Sequence, residues 1–210
     1  TFHPGLTDRP NDLPKEKNWK AFSVKDIYNP GNVLDGFMCY SATRYYGALL
    51  ISHVNGIEAP QLIFCTPKMY YPFDKSGRYV FPKARRIRVY EKYDGTNVFL
   101  YAYRSGGTEF YTFKSRLTPV LRDSEHVRFT QLLNETGLIE EAIRIRRTDI
   151  RENMSFELWG ARNKHLIKYE KPIGLNLLFT VGRTGEVSPP PEKCALPTAK
   201  RYPDVTGNYV

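Results

Sequence analysis

The run Lys92-Tyr93-Asp94-Gly95-Thr96-Asn97 puts a primary amine two residues from a carboxylate, with a glycine where the backbone must turn. A lysine so placed is a candidate nucleophile. To attack, it must be neutral, and against an ordinary lysine pKa of about 10.4 that calls for burial or for neighbouring cations. Arg116 and the basic run Arg85, Arg86 and Arg88 are the candidates for such a field. The competing reading is a surface lysine beside an Asp-Gly turn, which a short match does not exclude. Further on, Glu157 stands in the apolar run Phe156-Glu157-Leu158-Trp159. A carboxylate there needs a partner or a task, because burying an unpaired charge is costly. Phe179 ends another apolar run, where an aromatic either packs in the core or stacks on a ligand.

These residues must be positioned by strands. Tyr45 to Val54 and Ile57 to Cys65 flank Asn55-Gly56, a dipeptide that tolerates positive φ at both central turn positions, so a hairpin is expected. The proline- and charge-rich stretch from Thr66 to Arg86 reads as an internal boundary. Beyond it, Ile87, Val89, Glu91 and Tyr93 alternate with Arg86, Arg88, Tyr90 and Lys92. With Thr96 to Arg104, the turn Ser105-Gly106-Gly107 and Thr108 to Ser115, that alternation predicts an antiparallel meander with Lys92 at the end of its first strand. Asp123 and Ser124 are candidate N-caps for a helix through Leu133, and Leu138 to Arg147 predicts a second helix. Strands are expected at Met154 to Trp159 and Leu175 to Val181, and a proline-rich loop after Gly182. Residues 1–20, with Pro4, Pro10 and Pro14, read as an extended lead-in.

With 210 residues, 41% hydrophobic and 14% aromatic, the chain has enough apolar surface for a packed core, which excludes wholesale disorder. Its net charge of +9 favours an anionic partner such as a nucleic acid or polyphosphate, although a merely basic surface has the same signature. Cys39, Cys65 and Cys194 suggest neither a disulfide framework nor a zinc site, so no metal-ligating residues are assigned. No apolar run approaches the roughly eighteen residues that cross a bilayer. A soluble, cytoplasmic or otherwise intracellular monomer without a membrane partner is the expectation, and the initial Thr1 suggests processing or trimming.

Taken in order, the motifs resemble the covalent nucleotidyltransferase superfamily of RNA ligases, DNA ligases and mRNA capping enzymes. Lys92-Tyr93-Asp94-Gly95 matches that superfamily's Lys-x-Asp-Gly motif, and Gly95-Thr96-Asn97 resembles the Gly-Thr-Asn of strand-repair and editing RNA ligases. Lys114-Ser115-Arg116 is similar to the second basic motif. Phe156-Glu157-Leu158-Trp159-Gly160 is similar to the motif whose glutamate holds the ribose, followed by His165 and Tyr169 as in many ligases. Phe179 falls where the family stacks an aromatic on adenine, and the resemblance spans roughly residues 65 to 181.

The resemblance implies an α+β fold: an antiparallel-sheet nucleotidyltransferase core, ATP-grasp-like as in ligase adenylation domains, with flanking helices and a small β-rich N-terminal extension. Residues 1–65 would form that extension, a candidate nucleic-acid-binding appendage whose Phe37, Tyr40, Tyr45 and Tyr46 either pack or stack on bases, and residues 66–210 the adenylation domain. It further implies that Lys92 attacks ATP, with Mg²⁺, to form lysyl-AMP. AMP then passes to an RNA 5′-phosphate, in a nicked duplex or a tRNA-like end, and a 3′-hydroxyl seals the strand. Lys92 and Asp94 would be catalytic, while Glu91, Asn97, Arg116, Glu157 and Phe179 would join Lys92 in binding the nucleotide. Two departures stand out. Thr180-Val181 follows Phe179 instead of the usual Asp-Ile, and the family's fourth and fifth motifs do not appear before Val210, so a C-terminally incomplete domain is expected. A GTP-using capping-type guanylyltransferase and a non-catalytic RNA-binding scaffold are the alternatives.

Overall fold

The computed structural model describes residues 18–80, 84–124 and 127–209. The expected lead-in lies outside the described residues up to residue 17, and Trp19 and Lys20 already belong to a strand. Four strands come first: β1 (Trp19–Lys25), β2 (Val33–Cys39), β3 (Leu49–Val54) and β4 (Ile57–Ile63), forming an antiparallel sheet in chain order. The β3–β4 turn is the expected one. Asn55 and Gly56 have φ of 55° and 73°, the doubly positive pair that matches strand twist in a two-residue hairpin.

A second sheet is built from β6 (Thr96–Ser105), β7 (Thr108–Ser115), β8 (Asn153–Trp159), β9 (Gly174–Val181) and the short β10 (Val187–Ser188), in the order β10-β9-β8-β6-β7. All its pairings are antiparallel. Two short helices, α1 (Phe129–Glu135) and α2 (Ile139–Ile145), lie between β7 and β8, and a π-helical turn (Arg146–Ile150) follows α2. The fold is therefore α+β and dominated by antiparallel sheet, as expected. No helix among the described residues is long and apolar enough to cross a membrane.

Strand β6 is central because both of its faces are apolar. Phe99, Tyr101 and Tyr103 turn to one core, shared with Leu34, Leu49 and Ile51 of the four-stranded sheet and with Phe64 just past it. Val98 and Leu100 turn to the other, shared with Leu132 and Leu133 of α1 and Ala142 and Ile145 of α2. The period-two alternation thus feeds two cores at once and makes three layers: four strands, five strands, two helices. Each fully buried aromatic of β6 contributes on the order of 2 kcal/mol by leaving water.

Polar bonds stitch the two sheets together. Asp26, just past β1 and only 2% exposed, accepts from the Tyr103 hydroxyl at 2.8 Å, the Thr112 hydroxyl at 2.7 Å, Asn29 Nδ2 at 2.8 Å and the Tyr28 amide at 3.0 Å. Gln61 of β4 grips the β6 backbone with both ends of its amide, accepting from Arg104 N at 2.8 Å and donating to Arg104 O at 2.9 Å.

Three sequence expectations are corrected. The segment from Arg86 to Tyr93 is not the first strand of a meander. Only β5 (Ala84–Ile87) is a strand, and it pairs with β11 (Val205–Tyr209), an interaction that includes the Arg86–Asp204 ion pair. Lys92 accordingly lies in a loop rather than at a strand end. The proline-rich tail is likewise not all loop, since β10 and β11 arise within it. The first helix starts at Phe129, later than expected, and Asp123 still serves it by accepting from Thr130 N at 2.8 Å, whereas Ser124 bonds Val127.

Removing the Asp26 carboxylate leaves the Thr112 hydroxyl and the Tyr103 phenol with lost partners in a closed interior. Asp26→Ala is expected to cost about 3 kcal/mol of unfolding free energy, read from urea midpoints. A loss below about 0.5 kcal/mol would show that the sheets do not depend on it.

Candidate active-site cleft

Where β6, β8 and β9 approach the segment after β4, a cleft of about 600 Å³ opens. That is a volume ordinary for a nucleotide-sized ligand. Glu91, Lys92, Tyr93 and Gly95 enter it from the loop before β6, Asn97 from β6, Arg116 from just after β7, Glu157 from β8 and Phe179 from β9. Its remaining wall is Leu178 of β9 together with Thr66, Lys68, Met69, Tyr70 and Tyr71.

The loop bearing Lys92 has no regular structure, and it is fastened at almost every residue. Glu91 N donates to Lys200 O at 2.8 Å, Asp94 N to the Tyr169 hydroxyl at 2.8 Å and Gly95 N to Glu157 Oε1 at 3.0 Å. Tyr93 stacks on Trp159 with ring centroids 4.7 Å apart, and Tyr169 tilts against the same indole at 4.8 Å. Gly95 is required by contact. A Cβ there would stand 2.2 Å from Leu158 O, so only glycine lets the loop descend onto β8. Lys92 itself is exposed, which leaves its amine reachable from the cleft.

Asp94 stands beside the cleft rather than in its lining. Its Oδ2 accepts from Ile167 N at 2.8 Å, and that bond, ahead of the nearby His165 and Lys92, holds its carboxyl below the usual range. Glu157 behaves oppositely. Burial pushes it up to about 7, against the pull of the Gly95 amide, Lys92 and Arg116.

Asn97 braces β6 to β8, donating from Nδ2 to Ser155 Oγ at 2.9 Å and to Phe156 O at 3.0 Å, and Ser155 Oγ meets Thr66 Oγ1 at 2.9 Å. Asn97 Oδ1 and Arg116 Nε are buried without a hydrogen-bond partner. The Arg116 guanidinium lies over the Tyr46 ring at 5.7 Å, and Lys68 approaches the same ring at 6.0 Å. An acceptor and a cationic donor left open in one cleft suit a polar, anionic ligand. Phe179 lines the cleft while also packing against the inter-sheet core.

The structure thus gathers Glu91, Lys92, Asn97, Arg116, Glu157 and Phe179, with Asp94 adjacent. It does not bring Arg86 or Arg88 into the lining: Arg86 pairs with Asp204, and Arg88 faces another groove beside Pro189 and Pro190. Lys114 also points elsewhere. It is fully buried, its Nζ within reach of Gly47 O at 3.0 Å, Cys65 Sγ at 3.2 Å, Ser115 O at 2.8 Å and Arg116 O at 3.1 Å. Sequence reasoning treated Thr66 to Arg86 as a boundary and so missed the wall from Thr66 to Tyr71. The available signal was the basic-aromatic run Lys68-Met69-Tyr70-Tyr71, whose tyrosines are 70% and 78% exposed. No family model and no curated protein matches this chain.

Because folding raises the Glu157 pKa from 4.5 to about 7, the folded state prefers the protonated carboxyl. Its contribution is therefore fully present below about pH 4.5 and is lost as pH rises through about 7. Glu157→Gln keeps the acceptor for Gly95 N and removes the titration. The variant is expected to gain on the parent by up to about 3 kcal/mol between about pH 5 and about pH 8 in urea melts. Parallel pH profiles would show that this carboxyl does not titrate in that window.

Proposed function

We propose that this chain is the adenylation domain of an ATP-dependent RNA ligase with an antiparallel nucleotidyltransferase core. The observation that supports this reading is the convergence of Lys92, Arg116, Glu157 and Phe179, drawn from four separate segments, on one cleft of nucleotide size. The resemblance in motif order supplies the reaction.

In that reaction the neutral Lys92 amine attacks the α-phosphorus of ATP in line. An N–P bond forms, the bond to the departing oxygen breaks, pyrophosphate leaves and the amine's surplus proton passes to solvent. Such a displacement depends on positioning and charge neutralisation more than on acid or base help. Arg116, with its unpartnered buried Nε, is placed to meet phosphate or ribose oxygens. Glu157 accepts from the ribose hydroxyls once ionised, and Phe179 offers its ring to the base. Asp94, tied to Ile167, and Gly95, tied to Glu157, hold the loop so that Lys92 does not drift.

With Glu157 given to the ribose, Glu91 is the remaining carboxylate of the lining and would offer Mg²⁺ a hard oxygen donor, substrate phosphates and water supplying the rest. The ion's part would be to offset triphosphate charge. AMP then passes from Lys92 to an RNA 5′-phosphate as the N–P bond breaks. A 3′-hydroxyl displaces AMP to form the phosphodiester. The open Asn97 Oδ1 and the exposed rings of Tyr70 and Tyr71 would then be the groups that meet the RNA end.

Incubation with α-labelled ATP and Mg²⁺, followed by denaturing electrophoresis, tests the reading. A labelled band is expected from ATP and not from GTP, and Lys92→Ala should lose it with no change in melting, since an exposed lysine contributes little stability. Label persisting in Lys92→Ala would refute the assignment of the nucleophile. A band from GTP alone would point to a capping-type guanylyltransferase, and RNA binding without any adduct to a scaffold.

A further inference from the structure

Away from the cleft, at the far end of β6, a smaller cavity of about 200 Å³ is lined by Arg104, Arg146 and Arg183 together with Glu109 and Asn153. Arg104 lies seven residues along β6 from Asn97, about 23 Å at roughly 3.3 Å per residue, so this cavity is separate from the nucleotide cleft.

Its charges do not balance. Glu109, the carboxylate of the lining, is already engaged by Arg104 at 3.2 Å and by the Tyr111 hydroxyl. Glu186, near Gly182 but outside the lining, accepts the Thr184 amide and hydroxyl through Oε2. Arg146, from the π-helical turn, reaches inward and makes one long bond, Nη2 to Asn153 Oδ1 at 3.4 Å, while its Nε is buried with no partner. Arg183 is exposed and makes no hydrogen bond or ion pair among the described residues. Burial, together with Arg183 and Arg104, makes the Arg146 charge harder to hold, pulling its pKa down against the help of Glu109. Two guanidinium charges thus remain uncompensated beside a buried donor. The chain keeps this arrangement although replacing a buried charge with an apolar group commonly stabilises a fold.

We infer that the cavity formed by Arg104, Arg146 and Arg183 is a binding site for a phosphate group. Guanidinium forks match the tetrahedral, multiply accepting oxygens of phosphate, and an excess of two positive charges suits a dianion or two successive diesters. The phosphate comes either from a nucleic-acid backbone crossing this end of the sheet or from a free anion in solution. Arg104 is fixed on β6 by Gln61, Arg146 rests on the turn after α2, and Arg183 follows β9, so three elements would be joined through the bound oxygens. This site is independent of the adenylation chemistry.

Calorimetric titration with inorganic phosphate, against chloride at equal ionic strength, tests it directly. Saturable binding is expected in the parent and in Lys92→Ala, which leaves this cavity untouched. Arg183→Ala should weaken it about tenfold or more, the loss typical of one charged hydrogen bond. Arg146→Met should do the same. If that variant fails to fold, the exposed Arg183 carries the test alone. Absence of saturable binding, or binding unchanged in Arg183→Ala, overturns the site. A second titration with fluorescent single-stranded RNA over a range of salt separates the two sources. A salt slope reduced by about one in Arg183→Ala identifies the backbone as the ligand, and an unchanged slope alongside lost phosphate binding identifies the free anion.

Discussion

A fully buried ammonium, that of Lys114, sets the geometry on which both sheets and the cleft depend. An unpaired charge in an interior is untenable, so every acceptor within reach is drawn to it: the carbonyls of Gly47, Ser115 and Arg116 and the sulfur of Cys65. Those acceptors belong to the approach to β3, the end of β7 with the residue after it, and the second residue after β4. Gly47, at φ 75°, answers the same constraint, because a Cβ there would lie 2.3 Å from Arg116 O. The backbone of Arg116 is thereby fixed, and its guanidinium is delivered over Tyr46 into the cleft. The basic motif near the end of β7 thus divides its labour. Lys114 organises the interior, and Arg116 faces the ligand space.

The loop bearing Lys92 illustrates the opposite strategy. Nothing regular supports Glu91 to Asp94, so the chain borrows rigidity from β8 and from the segment around Ile167 and Tyr169. The Gly95–Glu157 bond ties the loop to a carboxylate that burial drives toward neutrality. A ligand hydroxyl that donates to Glu157 would favour its ionised form, and Lys92 and Arg116 already pull the same way. The cleft is therefore electrostatically incomplete by itself, with a reluctant carboxylate and an open guanidinium, in a manner that an anionic, hydroxyl-bearing ligand would relieve.

Much of this was legible in the sequence wherever one strand carries its own pattern. The buried alternation of β6, the doubly positive turn at Asn55-Gly56 and the apolar runs of β8 and β9 signal their structure locally. Pairings decided by distant partners were not legible. Arg85 and Arg86 lie in a strand only because Thr206 and Tyr209, more than a hundred residues on, supply the other half of the ladder. Nor does a sequence reveal which lysine is buried. The run at Lys114 and the run at Lys92 look equally basic, and only the register of β7 against β6, which sets Lys114 opposite Phe99, turns the first inward. The residues that converge on the cleft were singled out because their order along the chain resembles a family pattern, whereas the wall from Thr66 to Tyr71 belongs to no such pattern.

The two lysines also clarify what a nucleophile requires. Burial makes Lys114 easier to deprotonate than an ordinary lysine, which in isolation is the property sought in an attacking amine. Yet its nitrogen is enclosed by three carbonyls and a thiol, and no ligand atom can approach it in line. Lys92 has access without that burial. On the adenylation reading, its activation must come from positive charge gathered in the assembled complex, the guanidinium of Arg116 and the Mg²⁺ that would accompany the substrate phosphates, around an amine held by its loop. Access and position are provided by the fold, and the electrostatic remainder is left to the ligand. An exposed lysine on a tightly fastened loop is then a better candidate than a buried one enclosed on every side.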